Sequence, residues 1–340
     1  MGSVKDVELL RPPTESRSGE GIFLFSDRFS VFDWGVMPDL IDGKGKSICI
    51  IGAWFFEKLQ DLGLKTHYIG VLDDGKVKNL KDVVSPPYRM LVKFLRVIKP
   101  KLDGKSYDYS DFKKQDGNFV IPLEVIYRNS LPAGSSVFRR LKEGKISLAD
   151  IGLDEFPKEN TKLKSPIIDF STKFESQDRY ISQDEAKSIA GLKDKEFEKI
   201  KEYTLIANKV ITEAVERISV SNEDGKFEFG FDENRQIIFV DVIGTPDECR
   251  FMYDGIQVSK EVLRSYYRKT DWYEKLVEAK SRDFVKWREL VGQNPPTLPN
   301  EIKKLVSELY MSFCNEITQR DWFKVRSFKD VVKEVKSYFG

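Results

Sequence analysis

The sequence predicts an α+β fold, rich in strands at the start and in helices at the end. Short apolar runs of strand length, closed by Gly, Pro or Ser, occupy the first hundred residues. A hairpin pattern, Lys226-Phe-Glu-Phe-Gly-Phe231 then Gln236-Ile-Ile-Phe-Val-Asp241, stands in the middle, and after Tyr253 the chain turns helical. A length of 340 residues allows a large core and more than one domain. We expect a β-rich N-terminal lobe over 1–98 and a larger α+β lobe over 99–340.

Ile22-Phe-Leu-Phe25 reads as a buried strand entered from a turn, and residues 48–59, with Trp54, Phe55 and Phe56, as a helix packed into a core. Residues 68–72 and 90–98 read as strands separated by a Ser85-Pro-Pro87 loop. Residues 99–118 are polar and read as a connector, 119–128 as a strand, and 144–164 as mixed loop. Ser182-Gln-Asp-Glu185 has the form of a capping box. Phe197, Ile200, Thr204, Ala207, Ile211, Ala214, Val215 and Ile218 then mark one buried face of a long helix. Helices are expected over 263–267, 272–290 and 302–317, with Asn294-Pro-Pro-Thr-Leu-Pro299 as a break.

Composition excludes several classes of function. Lys and Arg number 56 against 55 Asp and Glu, so no global field favours nucleic acid or an anionic membrane. No apolar run approaches the ~18 residues of a membrane span, and the first residues lack a signal-peptide core. Cys49, Cys249 and Cys314 are far apart, which favours a reduced, cytoplasmic protein over a disulfide framework. His67 is the only histidine, so His-rich metal sites are impossible; in Leu64-Lys-Thr-His-Tyr-Ile-Gly70 it reads as structural or superficial. Catalysis would rest on carboxylates, Lys and Arg, a set suited to phosphate and metal chemistry.

The hairpin is more polar than a buried pair of strands needs. Phe227, Phe229 and Phe231 share one face; Lys226 and Glu228 share the other, with Asp224 two residues before. A loop of two or four residues would place Asp241 on the polar face, whereas an odd loop would bury it among phenylalanines. The even loop is therefore expected, with 226 opposite 241. Two readings fit: a salt-bridged solvent face, the commoner case, or a divalent cation held by carboxylates beside a phosphate-binding Lys. Arg128-Asn-Ser-Leu-Pro-Ala-Gly-Ser135 and Arg250 offer guanidinium and backbone N–H groups to an anion, or form a plain turn and a local ion pair. Gly43-Lys-Gly-Lys46 is a weak phosphate signal without the Walker A spacing.

Taken in order, these blocks resemble the SAICAR synthetase family (phosphoribosylaminoimidazole-succinocarboxamide synthases) from Gly2 to about Trp322. Gly2-Ser-Val-Lys-Asp-Val-Glu8 is similar to the family's opening strand, and Phe25-Ser-Asp-Arg-Phe-Ser-Val-Phe-Asp33 to its TDRxSAxD block. Gly43-Lys-Gly45 precedes a Trp-Phe helix, as in the family. Ile121-Pro-Leu-Glu-Val-Ile-Tyr-Arg128 with Gly134-Ser135, and Ser171-Thr-Lys-Phe-Glu175 with Asp178 and Ile181-Ser182, follow the family pattern. So do Asp224-Gly-Lys-Phe-Glu-Phe-Gly230, Val240-Asp241 and Thr245-Pro-Asp247 with Arg250; Leu298-Pro299 echoes a C-terminal pair.

The resemblance implies two lobes enclosing ATP, in the manner of kinases and ATP-grasp enzymes. It implies an ATP- and Mg²⁺-dependent ligase of purine biosynthesis joining L-aspartate to carboxyaminoimidazole ribonucleotide (CAIR), through an acyl phosphate. Glu228 and Asp241 match the metal carboxylates. Lys226 and Asp224 match substrate-contacting residues, Lys226 also lying near the nucleotide phosphates. Arg128, Ser135 and Arg250 match the clamp on the CAIR phosphate; Lys5 and Lys173 match basic residues near ATP; Glu124 lies by the adenine; Asp178 belongs to a loop near the aspartate and CAIR pocket. The partners implied are small molecules, with neither nucleic acid nor membrane, and the protein is expected as a monomer or small homo-oligomer. Ser3, Gln177 and Val242 depart from the pattern, where the family has Lys, His and Glu. Competing readings are another ligase or kinase of similar fold, or a nucleotide-binding protein that has lost catalysis.

Overall fold

The computed structural model describes residues 4–104, 106–283 and 286–339; Ser3 lies outside them. The first sheet holds five antiparallel strands: β1 (Lys5–Arg11), β2 (Gly19–Phe25), β3 (Tyr68–Asp73), β4 (Lys76–Lys78) and β5 (Arg89–Phe94), in the order β1-β2-β5-β3-β4. Helix α1 (Lys44–Asp61) crosses between β2 and β3 and is buried along most of its length by the Ile, Cys and Phe residues of 48–56. A small hairpin, β6 (Lys101–Asp103) and β7 (Ser106–Asp108), lies in the polar connector. It braces the loop beyond it: the Tyr109 hydroxyl donates to Glu175 at 2.8 Å, and that of Tyr107 accepts from the Ser176 amide at 3.0 Å.

The second sheet has seven strands: β8 (Phe119–Leu131), β9 (Thr161–Thr172), β10 (Tyr180–Ile181), β11 (Ser221–Phe231), β12 (Ile237–Val240), β13 (Cys249–Tyr253) and β14 (Ile256–Gln257). Helix α2 (Ser136–Lys142) follows β8. After β10 come α3 (Gln183–Ala190), capped by the Ser182 hydroxyl accepting from the Glu185 amide, and α4 (Asp194–Glu216), whose buried face is the predicted one as far as Val215, Ile218 lying past its end and half-buried. The chain ends in α5 (Glu261–Tyr267), α6 (Asp271–Arg282), α7 (Trp287–Val291), α8 (Asn300–Thr318) and α9 (Phe328–Phe339). Where one helix was expected over 272–290, α6 and α7 are separate. No helix among the described residues is long and apolar enough to cross a membrane.

The expected α+β class is the one observed. Strand β9 was not expected over 161–170. Its register jumps from Ile167 to Lys162 across an irregularity containing Pro166, and it faces only the short β10 on its other side. A strand that accommodates Pro at a bulge near an edge loses the alternation by which strands are recognised.

β11 organises the molecule. One side pairs with β8 along its length; the other pairs with β13 at its start and β12 at its end. Asp224 therefore stands across from Arg128 and from Arg250, and Glu228 across from Glu124. The opposite face carries Phe227, Phe229 and Phe231 into the main core.

Candidate active site

The predicted hairpin register is corrected by the structure. Phe231 pairs with Ile237 and Glu228 with Val240, so the loop spans the five residues 232–236 and is odd. Continued as a strand, Asp241 would point to the phenylalanine face. It does not, because β12 ends at Val240 and Asp241 takes a left-handed φ of 64°. That turn delivers its carboxylate to Lys5 and close enough to Glu228 to raise the latter's pKa. The grouping of Lys226, Glu228 and Asp241 stands, reached by a left-handed residue after an odd loop.

Four carboxylates and three lysines meet at this end of β11. Lys173, just past β9, pairs with Glu228; Lys5, from β1, pairs with Asp241. Lys226 donates to Glu124 at 2.5 Å and lies 3.5 Å from Glu248. Burial, with Asp241 nearby, pushes the Glu228 carboxyl up, and burial also raises Glu124; Asp178, exposed on its loop, is raised by partial desolvation. For Asp241 burial acts the same way, but Lys5 and Lys173 override it and hold the carboxyl below the usual carboxylate range. Burial opposes the charge of Lys226, yet Glu248, Glu124 and Glu228 keep it raised.

Among the described residues no three metal-ligating side chains converge. Two hard carboxylates, completed by phosphate and water, are nevertheless the donor set Mg²⁺ commonly uses. Val242, where the family has Glu, is buried against α1, so it adds no third carboxylate.

Toward its start, β11 meets arginines. Arg128 donates through Nε to Asp169 at 2.8 Å and through Nη1 to Asp224 at 3.0 Å. Its Nη2 reaches the Ser136 hydroxyl at 3.1 Å and that of Tyr180 at 3.3 Å. Arg250 donates to Asp224 from Nε at 2.7 Å and to the Ala133 carbonyl at 3.3 Å. Ser135 caps α2, its hydroxyl accepting from the Val137 amide. The three residues matched to the clamp thus gather around one loop, with Arg128 almost wholly engaged inside the protein. Arg140 shares Asp169 at 2.9 Å, lies over the Tyr180 ring, and lines with Asp178, Asp169 and Tyr180 a cavity of about 1030 Å³.

Sequence reasoning missed Asp169 and Glu248, whose importance depends on partners about 20 to 40 residues away. It also read Gly43-Lys-Gly-Lys46 as a weak phosphate signal. Lys44 is buried, 2.7 Å from Asp247, which also accepts from the Tyr310 hydroxyl at 2.7 Å. A Cβ on Gly45 would lie 2.7 Å from the Ser26 backbone. That motif serves close packing of α1 on β2.

The model of the family described as SAICAR synthetase matches residues 13–279. A relative from Archaeoglobus fulgidus, provisionally named phosphoribosylaminoimidazole-succinocarboxamide synthase, is 49% identical over 336 residues, 99% of each chain. The chain belongs to the SAICAR synthetase family. This is the family of the ATP-dependent ligase step of purine biosynthesis, and the chain is an enzyme of that step. The synthase of that name from Thermoplasma acidophilum is 34% identical, covering 88% of this chain and 94% of its own. A SAICAR synthetase solved in complex with ADP superposes with TM-score 0.56 at 25% identity, covering 87% of this chain and 99% of its own. The enzyme from Saccharomyces cerevisiae complexed with SAICAR shares the fold, with TM-score 0.63 at 23% identity and 95% coverage of each chain.

Proposed function

We propose that the face of β11 joins L-aspartate to CAIR at the expense of ATP, as the names of its relatives imply. The observation that supports this is the sorting of charge along one strand. Asp224 with Arg128 and Arg250 stands at one end, and Glu228, Asp241, Lys5, Lys173 and Lys226 stand at the other.

On this reading Arg250, Ser135 and Arg128 hold the CAIR phosphate, with Asp224 setting the direction of both guanidinium groups. Lys226, Lys173 and Lys5 face the ATP phosphates, and Glu124 lies toward the adenine while orienting Lys226. Glu228 and Asp241 would hold Mg²⁺, which when bound neutralises phosphate charge. A carboxylate oxygen of CAIR takes the γ-phosphoryl and ADP leaves. The amine of aspartate then attacks the carbonyl carbon and phosphate departs, leaving the amide. Positioning and charge neutralisation suffice for both steps. On the same reading Asp178, which lines the cavity and whose carboxyl partial desolvation raises, takes the proton of the attacking amine. The departure at Gln177 falls in this loop. We also assign the two lobes to 1–98 and 99–340. The protein would act as a cytoplasmic monomer or small homo-oligomer; its three cysteines are buried and free.

The test is ADP release in ATP and Mg²⁺ with CAIR and aspartate omitted in turn. Turnover without CAIR, or indifferent to aspartate, would sink the assignment. Asp241→Asn is expected to lower turnover by roughly a hundredfold or more with little change in the thermal midpoint; normal turnover would remove Asp241 from the metal pair.

A further inference from the structure

Asp241 is gripped at both ends by the N-terminal sheet. Its carboxylate meets Lys5 on β1. Its backbone carbonyl accepts a hydrogen bond from Nε2 of His67, 2.9 Å away, from the residue just before β3. His67 is buried, 3% exposed, and held edge-on between Phe23 at 5.5 Å and Phe56 at 5.3 Å. Its backbone is fixed as well. The amide donates to the Phe239 carbonyl at 2.8 Å and the carbonyl accepts from the Lys93 amide at 2.7 Å. Phe239 N–H in turn donates to the Lys65 carbonyl at 3.0 Å, and Thr66 bridges Phe239 in parallel. The imidazole is thus an immobile donor, anchored to both sheets, aimed at the one carbonyl whose residue leaves the strand with positive φ. Phe23 links the two grips, since Lys5 Nζ lies 4.7 Å from its ring centre.

A left-handed aspartate needs surroundings that over-determine it. Lys5 cannot do this alone, because it touches only the side chain. The hydrogen bond to the carbonyl fixes the peptide plane that follows Asp241, and with it the direction of the turn away from the phenylalanine face.

We infer that His67 is a positioning residue for the ligase reaction: its Nε2–H bond to the Asp241 carbonyl holds the left-handed turn that presents the Asp241 carboxylate beside Glu228 for a divalent cation. This rests on the metal reading of Glu228 and Asp241 proposed above.

The experiment compares wild type with His67→Phe, His67→Gln and Asp241→Asn. Mn²⁺ binding is followed by electron paramagnetic resonance in the presence of ADP, and ADP binding is measured without metal. His67→Phe keeps the ring volume and removes the donor; it is expected to weaken Mn²⁺ binding about tenfold, as loss of a partner behind a metal ligand does, with metal-free ADP binding unchanged. His67→Gln, which keeps an N–H, is expected to recover most of the Mn²⁺ affinity. If His67→Phe does not fold, His67→Asn, too short to reach the carbonyl, is expected to show the same weakening. Wild-type Mn²⁺ binding by His67→Phe or His67→Asn, beside loss in Asp241→Asn, overturns this inference alone. So does an equal loss of Mn²⁺ and metal-free ADP binding, which marks a merely structural role. Wild-type Mn²⁺ binding by Asp241→Asn overturns the metal reading and this inference with it.

Discussion

The two ends of the polar face of β11 are built from different materials. The end at Asp224 is a lattice of guanidinium forks and carboxylates built inward from Arg250: the Arg128 side chain is 2% exposed, that of Asp224 6% and that of Arg250 18%. The end at Glu228 is made of single ammonium groups from β1 and the end of β9, with Lys5 at 17% and Lys173 at 21%. A guanidinium sets direction through several donors in one plane, whereas an ammonium is a compact point charge on a flexible stem. The arginine end thus holds its geometry without help. On the function proposed above, the lysine end would redistribute its cations as phosphate arrives.

That contrast can be broken by substitution. Asp224→Asn deprives buried Arg128 and half-buried Arg250 of a shared counter-charge and is expected to cost about 3–5 kcal/mol in urea unfolding. A loss below ~1 kcal/mol would place the arginine end with ordinary surface pairs. Arg250→Lys keeps the charge and loses the fork, and is expected to cost about 1.5–3 kcal/mol; full retention of stability and of KM for CAIR would show that the fork has no role.

Acid titration sharpens the same point. Burial would raise the Asp169 carboxyl, but Arg128 and Arg140 prevail and hold it lowered. Its folded pKa lies below its unfolded one, so its stabilisation is complete above about pH 4 and is lost as pH falls below that. Asp169→Asn should therefore flatten the acid limb of stability measured from pH 6 to pH 3; an unchanged slope would assign the limb to other groups. The smallest effect belongs to the lysine end. Lys5→Gln is expected to cost less than about 1 kcal/mol while slowing turnover, and a loss as large as that of Asp224→Asn would erase the distinction between the ends.

The residues on the polar face of β11 were legible because alternation within one strand is a local property: Asp224, Lys226 and Glu228 needed no partner to be placed together. The buried face of α4 and the Ser182 cap were legible for the same reason. Asp241 was grouped correctly on a mistaken register, since its orientation depends on a single φ and on a loop whose length the pattern does not state. Asp169 was hidden because β9 bends around Pro166 and because its meaning lies in two distant arginines. Lys44 shows the converse: glycines beside lysines suggested a phosphate loop, while close packing of α1 explains them.

The register along β11 has one further consequence. Irregularities interrupt its pairing between Asn222 and Asp224 and between Glu228 and Gly230, but the stretch from Asp224 to Glu228 runs unbroken against β8. Four strand steps of roughly 3.3 Å put about 13 Å between the α-carbons at its ends. Under the function proposed above, the strand would be a gauge from the phosphate to the reacting carboxylate of the substrate, and a molecule too long or too short would not engage both ends at once.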